Sequence, residues 1–66
     1  MDKALEREWI WIRASFSALV SLKDQIYEID YQMQDIKPEH RNELIDEAIS
    51  VLDLLRVNLN SLKRFN

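Results

Sequence analysis

The chain has 66 residues, with no cysteine and a single histidine. That length allows one domain at most, and so short a chain buries only about 60% of the surface that its unfolded form exposes. Small folds usually compensate with disulfides, a structural metal or a partner chain. Since cysteine is absent and one histidine is too few for a metal site, we expect this chain to depend on association with another chain.

The composition places the chain among small soluble helical proteins. With 47% apolar and 32% charged residues it is too hydrophobic for disorder, and its net charge of −3 argues against a general nucleic-acid binder. No apolar run approaches the roughly 18 residues of a membrane span, and the first residues are too acidic for a signal peptide. We therefore expect a cytoplasmic protein. Glycine is absent and proline occurs once, which predicts a single break in a helical chain.

The first predicted helix runs from about residue 3 to about residue 36, with Asp2 as a suitable N-cap. Its apolar residues recur at steps of three or four, which keeps them on one face of an α-helix and excludes the period of two of a strand. We assign this stripe to the core of the fold or of a dimer. Its members are Leu5, Trp9, Ile12, Phe16, Leu19, Leu22, Ile26, Ile29, Met33 and Ile36.

Four polar residues lie within or beside this stripe: Glu8, Ser15, Lys23 and Asp30. Because an unpaired buried charge costs several kcal/mol, we expect these side chains to reach solvent at the edge of the stripe. The alternative is that Lys23 and Asp30 pair across an interface.

Pro38 marks the break between two helices. Proline disfavours a helical conformation at the preceding residue and suits the first position of a helix, so we predict a turn at 37–38 and a second helix from about 39 to about 63. So short a connection predicts an antiparallel hairpin. The second helix carries a heptad pattern that we also assign to the core or the dimer: Ile45, Ala48, Leu52, Leu55, Leu59 and Leu62.

Both helices carry more apolar residues than a two-helix hairpin can cover, which predicts that two hairpins form a four-helix bundle. Charge favours an antiparallel homodimer. Residues 24–53 hold nine acidic and two basic residues, whereas the rest of the chain holds three acidic and seven basic residues. Antiparallel packing therefore sets the acidic turn of one copy beside the basic open end of the other.

The sequence offers no recognisable catalytic chemistry. Lys37 stands three residues before His40, where a carboxylate-bridged metal site in a helical bundle would need a glutamate. The serines lie within predicted helices without glycine-containing elbows, and phosphate-binding loops require glycine. We therefore expect no enzyme, no cofactor and no metal.

Elimination leaves a non-enzymatic protein–protein interaction module, a homodimeric regulator or adaptor that binds another protein. If the dimer takes up the stripe and the heptad, the apolar residues outside both remain for that partner: Ile10, Trp11, Leu54 and Val57. Basic residues would rim this surface and favour an acidic partner: Arg7, Arg13 and Arg56.

Two alternatives remain open. In its architecture, though in no motif, the predicted dimer resembles the small hairpin dimers that bind RNA loops in plasmid copy-number control. That resemblance implies a Rop-like dimer binding RNA or DNA, but it assigns no residue of this chain to that role. By charge alone, the candidate nucleic-acid patch is the basic cluster of the open end: Lys3, Arg7, Arg13, Arg56, Lys63 and Arg64. The other alternative is a small subunit of a larger hetero-complex, which would be stable only with its partner chain.

Overall fold

A computed structural model describes residues 2–32 and 35–65 as an all-helical hairpin. Helix α1 spans Lys3–Tyr31 and helix α2 spans Pro38–Ser61, followed by a 3₁₀ turn at Leu62–Arg64. The two helices pack against each other as a rod with extents of 49 × 16 × 13 Å. The predicted all-α hairpin is confirmed. We call the end with the connection the turn end and the other the open end.

The predicted start of α1 is confirmed. The Oδ1 atom of Asp2 accepts a hydrogen bond from the backbone N–H of Ala4 at 2.7 Å, and the carbonyl of Asp2 accepts one from the N–H of Glu6 at 2.9 Å. Free N–H groups at a helix start need such partners, since no preceding turn supplies them.

The end of α1 differs from the prediction, because the helix stops at Tyr31 instead of continuing to residue 36. Packed helix axes are about 8–10 Å apart, whereas one extended residue spans only about 3.3–3.6 Å. A turn at 37–38 is too short for this distance, since Pro38 already belongs to α2. Asp35 and Ile36 accordingly lie outside α1.

Within the connection, Lys37 is extended, with φ −62° and ψ 137°, as the following proline requires. Ile36 lies outside α1 but is half-buried and lines a depression at the turn end together with Ile29 and Leu44. It still covers the end of the core. Met33, which we assigned to the stripe, lies outside the described residues.

The helices meet along heptad repeats, whose seven positions we letter a to g. The a and d positions of α1 face α2, and all are buried or half-buried. The a positions are Leu5, Ile12, Leu19 and Ile26, and the d positions are Glu8, Ser15, Leu22 and Ile29. In α2 and the residues that follow it, the a positions are Arg41, Ala48, Leu55 and Leu62, and the d positions are Leu44, Val51, Asn58 and Phe65. Among the described residues, four are buried and form the core: Ile12, Leu22, Leu44 and Leu55.

One row of α2 differs from the heptad that the sequence suggested. The Ala48–Leu55–Leu62 row lies in the seam, but its companion row begins at Leu44 and continues through Val51 and not through Leu52. Helix α1 covers only two adjacent rows of α2. The third apolar row consequently stays at the side of the seam, where Ile45 is half-buried while Leu52 and Leu59 are exposed.

Candidate protein-interaction surfaces

The hairpin leaves large apolar side chains exposed on two opposite sides. In an antiparallel pair of heptad helices, the e positions of both helices flank one side of the seam and the g positions flank the other. Exposed apolar residues occupy both sets of positions. The two sides are therefore separate surfaces.

The larger surface, which we call the Trp9 face, combines the e positions with the adjoining b positions. Its exposed members are Trp9, Phe16, Val20, Tyr27, Ile49, Leu52 and Leu59. A shallow depression on this side is lined by α1 residues Lys23 and Tyr27 and by Ala48 of α2, so the face is continuous across the two helices. The Tyr27 and Tyr31 rings lie 4.6 Å apart at its turn-end margin.

From the sequence, the e residues of the Trp9 face are assigned to the core or the dimer, whereas its other three members count only as surplus apolar residues outside both patterns: Val20, Tyr27 and Ile49. All three occupy b positions, next to the e row on the helical surface. Together the e row and the b row form one face. The signal was therefore present in the heptad, but the choice between two possible seams in α2 concealed it.

The smaller surface, which we call the Trp11 face, consists of Trp11, Leu54 and Val57. Trp11 and Leu54 occupy g positions of facing helices, Val57 occupies the adjoining c position, and each is 60–61% exposed. Arg7 and Arg64 are exposed c residues at the open-end margin of this face. An exposed tryptophan beside arginine is a composition typical of interface hot spots.

Ile10 does not belong to the Trp11 face, although we predicted a single surface for both residues. It occupies the f position on the outside of α1, where it lines a depression with Trp9 and Arg13. Successive helical residues are about 100° apart, so Ile10 and Trp11 point to different sides. Arg13 and Arg56, which we predicted as the rim, lie at b positions beside the Trp9 face.

Two ion pairs join the helices. Near the turn end, Arg41 donates to Asp30 through Nε at 2.5 Å and through Nη2 at 2.9 Å. This bidentate hydrogen bond to Arg41 lowers the pKa of Asp30 below its ordinary value of 3.8. Near the open end, Nη2 of Arg64 lies 3.5 Å from Oε1 of Glu8. The Asp30 and Arg41 side chains are both more than a third exposed, so their attraction adds little stability.

The polar residues of the stripe behave differently from one another. Lys23 reaches solvent and pairs with its neighbour Asp24 at 2.8 Å, so the alternative pairing of Lys23 with Asp30 is not observed. Ser15 is half-buried in the seam. The side chain of Glu8 is only 20% exposed, and its Oε2 has no hydrogen-bond partner among the described residues. One oxygen of the Glu8 carboxylate is therefore a buried acceptor without a partner in the described part of the chain.

The basic residues of the open end do not share one side of the rod. Arg13, Arg56 and Lys63 occupy b positions beside the Trp9 face, whereas Arg7 and Arg64 occupy c positions beside the Trp11 face. Arg64 also pairs with Glu8. A nucleic-acid backbone lying along one side would meet only part of this set.

Within residues 2–32 and 35–65, no cluster of three or more histidine, aspartate or glutamate residues could hold a metal ion. His40 is exposed at the turn end, where it lines a depression with Gln25 and Glu28. None of the described helices combines the length and the hydropathy that crossing a membrane requires.

Comparison with protein-family models, with curated proteins and with solved structures finds no match to this chain. The Trp9 face and the Trp11 face are consequently the features of the molecule that bear on its function.

Proposed function

We propose that this chain is a non-enzymatic protein–protein interaction module, a homodimeric regulator or adaptor that binds another protein. The observation that carries the proposal is the exposure of large apolar side chains on two opposite sides of the hairpin. Monomeric soluble proteins rarely expose contiguous apolar patches beyond a few hundred Å². A second chain on each side would remove these patches from water.

The Trp9 face is large enough for a second copy. Each of its seven side chains leaves on the order of 100 Å² exposed, which gives roughly 700 Å² per copy. A standard specific interface buries about 800 Å² per partner, including a polar rim. Both helices of this chain carry apolar residues at e as well as at a and d positions. Helices that face the core of a bundle show this pattern, whereas a seam between two helices needs apolar residues only at a and d.

The Trp11 face suits a smaller contact with a different protein. Its three large side chains lie within about two helical turns, and Arg7 and Arg64 provide positive charge at its open-end margin. Tryptophan and arginine are enriched among the residues that dominate binding energy. We propose that its occupant is an amphipathic helix of another protein, with acidic residues directed toward these arginines.

Two leucines of α2 provide a matched test of self-association. Leu52 is 51% exposed on the Trp9 face, and Leu54 is 61% exposed on the Trp11 face. In sedimentation equilibrium the wild-type chain and the Leu54→Asp variant should dimerise, whereas Leu52→Asp should remain monomeric. The melting temperature of the wild-type chain should fall on dilution because folding and association are coupled. A wild-type chain that stays monomeric at all concentrations contradicts the homodimer.

The opposite pattern is expected for the protein partner. Chains captured by the wild-type protein from an extract of its host are identified by mass spectrometry, and a purified partner is titrated against each variant. Leu54→Asp and Trp11→Ser should weaken this binding, and Leu52→Asp should weaken it much less. Binding that is insensitive to both Leu54→Asp and Trp11→Ser contradicts the Trp11 face as the docking site.

The same preparations distinguish the two alternatives. Binding to a nucleic acid that weakens steeply with added salt would favour the Rop-like dimer. A chain that aggregates alone but becomes stable with one co-purified chain would favour a subunit of a hetero-complex.

A further inference from the structure

We infer that the Trp9 face binds a second copy of this chain in the antiparallel orientation, with the two turns at opposite ends of a four-helix bundle. This inference rests on the proposed homodimer and specifies its geometry. The two copies are then related by a two-fold axis that lies in the plane of the interface and runs across the rods. In this arrangement α1 packs on α1 of the second copy, and α2 packs on α2.

The register of the hairpin locates this axis. The Asp30–Arg41 and Glu8–Arg64 ion pairs fix which residues of the two helices lie level, and they set Leu52 about level with Val20. This level is near the middle of the Trp9 face, which extends from Trp9 to Tyr27 along α1. An axis at this level brings the Leu52 side chains of the two copies together. It also sets Leu59 of each copy against Ile45 of the other.

Apolar contact alone does not select the orientation. An axis along the rod would give a parallel dimer, in which α1 packs on α2 of the second copy at the same level. Apolar residues would face apolar residues in that arrangement also, because both helices contribute to the Trp9 face over the same part of the rod. The orientation therefore depends on the charges beside the face.

Those charges are segregated along the rod. The basic residues beside the Trp9 face lie toward the open end: Arg13, Arg56 and Lys63. The acidic residues of its turn half lie at e and f positions along the same side: Asp24, Asp30 and Asp46. Lys23 and Arg41 offset Asp24 and Asp30 in this half, which leaves it negative through Asp46. Glu6 adds one negative charge at the open end, which leaves that half positive. The three basic side chains toward the open end and the four acidic ones are exposed, and Asp24, Asp30 and Arg56 also form ion pairs within the chain.

The antiparallel orientation matches opposite charges. It sets the basic open-end half of each copy along the acidic turn half of the other, on both edges of the interface. The parallel orientation superposes the two basic halves and the two acidic halves, and like charges held close together at an interface are unfavourable. The segregation thus selects the antiparallel dimer and disfavours the parallel one.

Cysteine cross-linking tests this geometry, because the natural chain has no cysteine. Asn42 and Lys63 occupy b positions of α2 and its 3₁₀ turn near opposite ends of the Trp9 face. In the antiparallel dimer each lies near the other residue of the second copy. A mixture of Asn42→Cys and Lys63→Cys chains should therefore form a covalent heterodimer with a bismaleimide that spans about 8–10 Å, the separation of packed helix axes.

Two further mixtures serve as controls. Glu6→Cys with Lys63→Cys should cross-link only in a parallel dimer, because both residues lie at the open end. Ser50→Cys with Lys63→Cys should not cross-link in either orientation, since Ser50 lies on the side of the Trp11 face. Sedimentation equilibrium of each variant before the reaction establishes that it dimerises.

The outcomes separate this inference from the proposed function. A product between Asn42→Cys and Lys63→Cys chains, with neither control reacting, supports the antiparallel dimer. A product with Glu6→Cys alone overturns the orientation while the homodimer stands. A product with Ser50→Cys, or a dimer that gives no product, overturns the assignment to the Trp9 face. Monomers in every preparation contradict the proposed homodimer itself.

Discussion

The cost of truncating Leu55 tests the packing of the hairpin most directly. Leu55 is 5% exposed in the seam, whereas its neighbour Leu54 is 61% exposed on the Trp11 face. Removing the buried side chain loses both its transfer free energy and its packing contacts, so Leu55→Ala should lower the free energy of unfolding by about 2–5 kcal/mol. Leu54→Ala, the matched control, should change it by no more than about 0.5 kcal/mol.

The measurement is urea unfolding followed by far-ultraviolet circular dichroism, with all variants at one protein concentration because association would contribute to the stability of the proposed dimer. A core of this size rarely supplies more than about 3–5 kcal/mol, so Leu55→Ala can unfold outright. Ile12→Val then replaces it, since Ile12 is 1% exposed and this change typically costs about 0.5–1.5 kcal/mol. Equal losses for Leu54→Ala and Leu55→Ala would show that α2 turns another row toward α1.

Three further predictions concern single polar groups. Asp2→Ala should lower helicity and stability by about 0.5–2 kcal/mol through loss of the N-cap, measured by thermal unfolding against Asp24→Ala, a mid-helix change that should cost less. Glu8→Leu should raise the free energy of unfolding by about 1 kcal/mol in urea titrations, because the unpartnered oxygen leaves the seam; a loss of stability would show that this carboxylate is satisfied in solution. The lowered pKa of Asp30 means that the unfolded chain takes up its proton first as the pH falls, so stability should decline from about pH 3.8 downward. Arg41→Gln should flatten this decline in acid titrations followed by circular dichroism, and an unchanged profile would contradict the pairing.

Local chemistry determined much of the fold from the sequence alone. The steps of three and four identify both helices, because only an α-helix brings such positions to one face. Asp2 and Pro38 mark helix starts through interactions within a few residues of each, and the extended backbone at Lys37 follows from the ring of the next residue. The structure agrees with the sequence wherever a feature depends on neighbours along the chain.

Other features depend on the second helix, and the sequence did not determine them. The end of α1 at Tyr31 follows from the distance between the packed helices, which residues 32–36 do not encode locally. Helix α2 carries two apolar rows beside Ala48 and Leu55, and packing against α1 decided between them. That packing left Leu52 exposed, and the seam of α1 runs through Glu8 while Trp9 stays exposed.

The candidate surfaces were likewise determined partly by the sequence and partly by the packing of the two helices. Composition and pattern were enough to predict surplus apolar residues, since each helix carries more than one partner helix can cover. Their distribution between two sides required the hairpin, because a residue belongs to the Trp9 face or the Trp11 face only once its row is fixed relative to the seam. Ile10 and Trp11 are neighbours in the chain but lie on different sides, since each helical residue turns about 100° from the last.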